Sequence, residues 1–292
     1  MKYDTTVIKI DWGLGRVIAM SWAITELAKK KKVRVVTSRP IVFWWNTFIE
    51  SVHKTDEIDL YRNVIKGNDY IELEPYTDPR FFNEWINRLD IASSKLGLKE
   101  VAQPQLFLAE HEKYKNRLEG KTPNSKVVLF QPFGSSMDKF WCDKTYRSFK
   151  IEDAQWIVDR LNEKWYTVYQ VFEKEKQPAL IGCVECSNSN VRWIISLADR
   201  YPVIWCDSCM QHAAKAFNKQ ALVMWAGTDM WRAWYDSHIN VWENGMVEHT
   251  PMRLWTLWFN TDIVNQYSNQ FSPKFLNNFI EIAEKFLQSR YK

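Results

Sequence analysis

Thr6-Val-Ile-Lys-Ile10, then Asp11-Trp-Gly-Leu-Gly15, then a helical stretch closing on Lys29 to Lys32, then Val33-Arg-Val-Val-Thr37: this is the stretch whose reading decides the fold. The first and last pieces are β-branched runs of strand length. The middle carries Val17, Met20, Ile24, Leu27 and Ala28 at helical spacing and ends in lysines that suit the negative end of a helix dipole. Strand, glycine turn, helix and strand in immediate succession make one βαβ unit, which requires parallel strands with the helix packed on the sheet.

The same alternation returns later in the chain. Lys126 to Gln131 reads as a strand, Glu152 to Glu163 as a helix with Ala154, Ile157, Val158 and Leu161 on one face, and Tyr166 to Phe172 as a strand. Helix Val191 to Arg200, strand Val203 to Cys206, a short helix from Met210 to Phe217 and strand Ala221 to Ala226 follow. Ser272-Pro273, a cap followed by proline, opens a C-terminal helix with Phe275, Phe279, Ala283, Phe286 and Leu287 on one side. Between residues 50 and 120 the pattern is harder to read, with helical periodicity at Arg80 to Leu96 and Ala109 to Leu118. Gly120-Lys-Thr-Pro-Asn-Ser125 reads as a linker, so the expected domains are residues 1–122 and 123–292, each Rossmann-like.

Composition narrows the class. A chain of 292 residues with 46% hydrophobic residues can build a full core in each half. The apolar run Val17 to Ile24 is too short to span a bilayer, and the expected location is the cytoplasm. Five cysteines, an odd number, point to thiols rather than a disulfide framework. A net charge of +4 favours anionic partners without naming one. Sixteen tryptophans belong mostly to cores, leaving a minority to stack on a base or a sugar.

The strongest local signal is Val203-Ile-Trp-Cys-Asp207-Ser208-Cys-Met-Gln-His212-Ala-Ala-Lys-Ala-Phe217. A strand ends on Asp207 and Ser208 and a helix begins, and the first N–H groups and dipole of such a helix seat a phosphate. The plainer alternative is that Asp207 and Ser208 only cap the helix and that His212 is a partly exposed surface residue.

This passage resembles the D-S-G-x-x-H-x-A signature of glycosyltransferase family 9, the ADP-heptose:lipopolysaccharide heptosyltransferases and their relatives. Ala221-Leu-Val-Met-Trp-Ala-Gly227-Thr228-Asp229 is similar to the family's next strand and G-x-T turn, and Leu129-Phe-Gln-Pro-Phe-Gly134-Ser-Ser-Met-Asp-Lys139-Phe-Trp141 to the strand and loop before a lysine near the donor phosphates. Gly13-Leu-Gly15-Arg16-Val17 is similar to the glycine-rich acceptor loop. The resemblance implies the GT-B architecture, two Rossmann-like α/β/α domains facing across a cleft with a C-terminal helix. It also implies an activity: transfer of a sugar from a nucleotide diphosphate to a hydroxyl, with inversion. By position the donor set is Ser135, Lys139, Asp207, Ser208 and His212, with Glu173 for the ribose or base. Gly13, Gly15, Trp12 and Trp44 fall on the acceptor side.

Two departures stand out. Arg16 occupies the position of the family's aspartate, the proposed base, and a guanidinium meets phosphate or an acidic acceptor rather than taking a proton. Asp11, at a strand end two residues before Gly13, is the substitute base, and also reads as a simple turn aspartate. Cys209 replaces the glycine of the D-S-G signature.

No two aspartates form a D-x-D pair, so no metal and no separate cofactor is expected beyond the nucleotide-sugar co-substrate. The pairs Cys183/Cys186 and Cys206/Cys209 formally fit a four-thiolate zinc site, which would make the chain a zinc-stabilised nucleic-acid-binding protein, although Cys206 reads as a buried strand position. A P-loop, a third dinucleotide-binding glycine, a nucleophile elbow and an H-E-x-x-H helix are all missing. The acceptor is a glycan or, as for the GT-B enzymes of T-even-type bacteriophages, a modified base in DNA. Trp231 and Trp234, beside the donor turn, join Trp12, Trp44 and Trp45 as stacking candidates. A rival from another class is a nucleotide- or sugar-binding module without catalysis, since the expected base is missing.

Overall fold

The computed structural model describes residues 4–11, 13–84, 86–100, 103–115, 118, 126–134, 147–187, 191–226, 230–243 and 271–291. The expected linker and the boundary at residue 122 lie outside them.

The opening unit forms as read. Strand β1 (Thr5–Lys9) leads through Gly13 into helix α1 (Leu14–Ala28), and β2 (Lys32–Val36) returns parallel to β1. Two short strands complete the first sheet, β3 (Ser51–His53) beside β2 and β4 (Asp69–Glu72) beside β1, giving the order β3-β2-β1-β4 with every pairing parallel. The periodicity from Arg80 to Leu96 is not one helix but two, α2 (Pro79–Asn83) and α3 (Arg88–Lys95), because the Asn87 side chain accepts the Leu89 N–H and starts a new N-terminus. Helix α4 (Glu110–Lys115) follows.

The second sheet has six parallel strands, β5 (Lys126–Gln131), β6 (Tyr166–Val171), β7 (Val184–Cys186), β8 (Val203–Cys206), β9 (Leu222–Trp225) and β10 (Ile239–Trp242), in the order β10-β9-β8-β5-β6-β7. Helices α5 (Ile151–Glu163), α6 (Val191–Leu197) and α7 (Cys209–Ala216) connect them. The C-terminal helix α8 (Pro273–Arg290) is capped by Ser272, which accepts the Phe275 N–H, and buries Phe275, Phe279, Ala283, Phe286 and Leu287. That stripe packs with α5 and one face of the second sheet in a core containing Val128, Phe130, Ile157 and Leu161.

The other core belongs to both sheets at once. It joins Ile8, Val33 and Val35 of the first sheet through α1 to Leu129, Trp205 and Val223 of the second. Helix α1 is buried nearly all round, which accounts for the length of its apolar run. Its buried hydroxyls are satisfied inside: Ser21 Oγ donates to Ile18 O and accepts the Gln105 N–H, and Thr25 Oγ1 donates to Ser21 O while accepting from Asn46 Nδ2. Among the described residues no helix is long and apolar enough to cross a membrane.

Sheet order also decides the zinc question. Cys183 and Cys186 lie at β7 and Cys206 in β8, and β5 and β6 stand between those strands. Three inter-strand spacings amount to about 14 Å, far beyond what thiolates bound at about 2.3 Å to one ion can bridge. The four-thiolate reading is therefore overturned, and burial pushes the Cys186 thiol up to about 12, as for an inert core thiol.

Candidate active site

In an open parallel sheet, ligands sit beyond the carboxyl ends of the strands where the connection order reverses. In the second sheet that point lies between β5 and β8, since β6 and β7 extend to one side and β9 and β10 to the other. Gln131 ends β5 and Asp207-Ser208 follows β8, and Ser208 Oγ donates to Gln131 Oε1 at 2.6 Å across the gap. In the first sheet the reversal lies between β1 and β4, where Asp11 and Glu74 emerge.

The two reversal points face each other through the first turns of α1 and α7. A Cβ added to Gly15 would lie 3.0 Å from Cys209 Cα and 3.0 Å from the His212 ring, so any side chain here would force the two helices or the ring to give way, and glycine allows the close approach. Neither helix carries an acidic residue in its first turn, and Gly13 caps α1 without a side-chain hydrogen bond. Two positive dipole ends are thus brought together, with the Asp207 carboxylate just before the Ser208 cap as the nearby negative charge.

Arginines add to that positive charge. Desolvation pushes the Cys209 thiol up to about 11, and Arg147 and Arg39 act against it, which puts both guanidinium groups within electrostatic reach of the start of α7. Arg147 stands beside Gly134, where a Cβ would meet Arg147 Cβ at 3.1 Å and Asp207 O at 3.1 Å. Arg88, buried at the start of α3, donates to His212 Nε2 at 2.8 Å. A guanidinium can only donate, so Nε2 accepts and the imidazole proton lies on Nδ1, 2.7 Å from Tyr235 Oη. Burial and the charges of Arg88, His238 and Arg147 hold the His212 pKa well below its ordinary value, and the ring is neutral.

The polar groups behind α7 are ordered by further bonds. Asp207 Oδ1 accepts from Gln211 Nε2 at 2.6 Å, His238 Nε2 donates to Gln211 O, and the Ala221 N–H donates to His238 Nδ1. Arg16 forms an ion pair with Glu74, and Lys95 Nζ donates to the Glu74 carbonyl.

The residues singled out by sequence are distributed as follows. Gly15 meets Cys209 and His212 at the α1–α7 contact, beside Asp207 and Ser208 at the start of α7, while Gly13 caps α1 and Arg16 on its first turn pairs with Glu74. His212 is buried, not partly exposed, and both its nitrogens are engaged inside the protein. Asp11 Oδ1 accepts the Ser38 N–H and ties the end of β1 to the segment after β2. Glu173 follows β6, is exposed, and pairs with Lys176. Trp44, 48% exposed, ends the turn Pro40–Phe43 after β2, and Trp45 beside it is exposed with a positive φ of 65°. Trp231, 51% exposed, meets Trp234 at 4.4 Å between ring centroids. Trp12, Ser135, Lys139 and the Gly227-Thr228-Asp229 turn lie outside the described residues. The residues that sequence reasoning missed are Glu74, Arg39, Arg88, Gln131, Arg147 and Tyr235; each acts across a tertiary contact that no local motif announces.

Solved structures share this fold. A family 9 glycosyltransferase from Veillonella parvula DSM 2008 superposes over 99% of this chain and 98% of its own with a TM-score of 0.67 at 12% identity. The iron-containing dodecameric glycosyltransferase TibC of enterotoxigenic E. coli H10407 superposes over 99% of this chain and 77% of its own, with a TM-score of 0.70 at 12% identity. The E. coli ADP-heptose LPS heptosyltransferase II superposes over 97% and 100%, with a TM-score of 0.58 at 12% identity. The chain carries the fold of the family 9 glycosyltransferases. No protein-family model and no curated protein matches the sequence, so the kinship is one of fold. Within the family 9 fold, the contact of Gly15 with Cys209 joins the two GT-B halves at the mouth of both sheets.

Proposed function

We propose that this protein is a metal-independent glycosyltransferase that moves a sugar from a nucleoside-diphosphate donor to a hydroxyl acceptor, with the diphosphate seated where α1 and α7 begin. The observation that carries this reading is the convergence of two helix N-termini with Arg39, Arg88 and Arg147 at the reversal points of both sheets. An anion placed there offsets the facing dipoles and remains held as negative charge grows on the departing diphosphate. TibC is known in complex with ADP-D-β-D-heptose, which supports a nucleotide sugar as the donor class. Lys139 and Ser135 complete the donor set by sequence position, with Glu173 for the ribose or base. His212, held between Arg88 and Tyr235, braces the start of α7 rather than touching the sugar. By sequence position Gly13, Gly15, Trp12 and Trp44 are assigned to the acceptor side, and the acceptor is a glycan hydroxyl or the hydroxyl of a modified DNA base.

The test is calorimetric titration of nucleoside diphosphates and nucleotide sugars in EDTA, on wild type, Arg147→Gln and Lys139→Ala. Binding of one nucleotide without metal, weakened at least tenfold in each variant, is expected. A site that saturates about a hundredfold above Kd adds about 2.7 kcal/mol to stability, so melting curves report the same event. If no nucleotide binds the wild type, the proposal is wrong.

A further inference from the structure

Arg16 heads α1 at the reversal point of the first sheet and, as a permanent cation, cannot accept a proton. A transferase working on a hydroxyl needs an acceptor for that hydroxyl's proton, and a carboxylate at this edge is the group to look for. Two are present. Asp11 Oδ1 is engaged by the Ser38 N–H and holds two loops together. Glu74 lies on the other side of β1, two residues past the end of β4, with its carboxylate against the Arg16 guanidinium and its side chain 12% exposed. Arg16 directly follows Gly15, the residue in contact with Cys209 and His212, so the Arg16–Glu74 pair sits at the junction where the diphosphate is proposed to lie.

We propose that Glu74 is the general base of the reaction, and this rests on the glycosyltransferase reading above. The acceptor oxygen forms its bond to the anomeric carbon and gives its proton to a Glu74 carboxylate oxygen. The bond from the anomeric carbon to the diphosphate oxygen breaks, and its electron pair leaves with the nucleoside diphosphate. Charge moves consistently with this step. As Glu74 takes the proton and becomes neutral, its charge no longer offsets that of Arg16 just as negative charge appears on the leaving diphosphate. The pair thus couples proton uptake at Glu74 to a gain of positive charge near the leaving group.

The experiment compares wild type, Glu74→Gln, Glu74→Asp and Asp11→Asn. Each is titrated with ADP and assayed for release of nucleoside diphosphate from ADP-D-β-D-heptose, UDP-glucose and GDP-mannose, with water as acceptor, between pH 5 and 9. In Glu74→Gln the amide oxygen still accepts from Arg16. That variant is expected to bind ADP within about twofold of wild type while turnover falls by about a hundredfold or more, the usual range for a lost general base. Wild-type turnover should fall at acid pH along a carboxylate titration that Glu74→Gln abolishes, a readout that a purely structural ion pair would not move. Glu74→Asp, which keeps the charge but withdraws the carboxylate by one methylene, should lose about tenfold with ADP binding intact, and it carries the test if Glu74→Gln does not fold. Wild-type-like turnover in the Glu74 variants, or loss in Asp11→Asn alone, overturns the assignment while leaving the glycosyltransferase intact. Wild type that binds no ADP and turns over none of the three donors overturns both.

Discussion

Acid should destabilise this protein through the histidines that hold α7, and His238 gives the effect a size. Its ring pins the site helix to the start of β9: Nε2–H donates to Gln211 O, and Nδ1 accepts the Ala221 N–H. A second proton would put two donors face to face at Nδ1 in a site where the residue is only 5% exposed. Burial accordingly pulls the His238 pKa down from 6.5 to about 4, with Lys215 acting the same way and the hydrogen bonds to Gln211 and Ser237 opposing. The unfolded chain therefore takes up the proton first. The stabilisation is fully present above pH 6.5 and is lost as pH falls towards 4; at about 1.4 kcal/mol per pH unit the loss reaches about 3 kcal/mol. His212, whose pKa is also depressed by burial, adds in the same direction. Urea unfolding followed by tryptophan fluorescence at pH 7 and at pH 4 measures the difference. In His238→Gln, which cannot titrate, the loss over that interval should shrink by about 3 kcal/mol. An unchanged loss in the variant would refute the argument that His238 is buried neutral.

Two further perturbations test the junction between the halves. Gly15→Ala puts a Cβ 3.0 Å from the backbone of Cys209 and should destabilise by about 1–3 kcal/mol while weakening nucleotide binding, read by melting curves and ADP titration; unchanged stability and affinity would contradict the close approach. Arg192, 2% exposed on α6, donates to Glu112, Ile41 O and Phe107 O, so Arg192→Met should lower unfolding free energy by about 3–5 kcal/mol, and a double-mutant cycle with Glu112→Gln should recover a large coupling.

What could be read from the sequence follows position within each sheet. The six strands visible as apolar or β-branched runs, β1, β2, β5, β6, β8 and β9, are the interior ones, where both faces are covered and most residues are buried. The four that escaped, β3, β4, β7 and β10, are the edges. They are three or four residues long and half exposed, as in Asp69-Tyr-Ile-Glu72, and such a segment has no run to detect. Glu74 was missed for that reason: without β4 on the map, nothing distinguished it from a loop carboxylate. Arg88 was hidden differently. A helix drawn unbroken from Arg80 to Leu96 places it mid-helix, whereas the Asn87 cap turns it into a first-turn residue reaching His212, 124 positions away in sequence. The D-S-C-M-Q-H segment was legible because cap, strand end and helix start are all local.

Cys209 stands at the position of the signature glycine and brings a side chain to the start of α7. The contact with Gly15 shows how the fold accommodates the larger residue. Close approach at this junction is needed between α1 and α7, and it can be met by removing the side chain from either partner. With a thiol at Cys209, the absence of a Cβ falls to Gly15, whose position is defined against Cys209 Cα and the His212 ring rather than against a flexible side-chain tip. The second glycine of Gly13-Leu-Gly15 is then part of the same interface as the D-S-C segment, although 194 residues separate Gly15 from Cys209. The α1–α7 contact also belongs to a core shared by both sheets, with Ala23 and Ile24 on one side and Met210 and Ala213 on the other. Packing between the halves and placement of charge at the candidate site are therefore fixed by one set of side chains. A substitution that loosens this core should move Arg16, Glu74 and the first turn of α7 together, and nucleotide affinity should fall in step with stability.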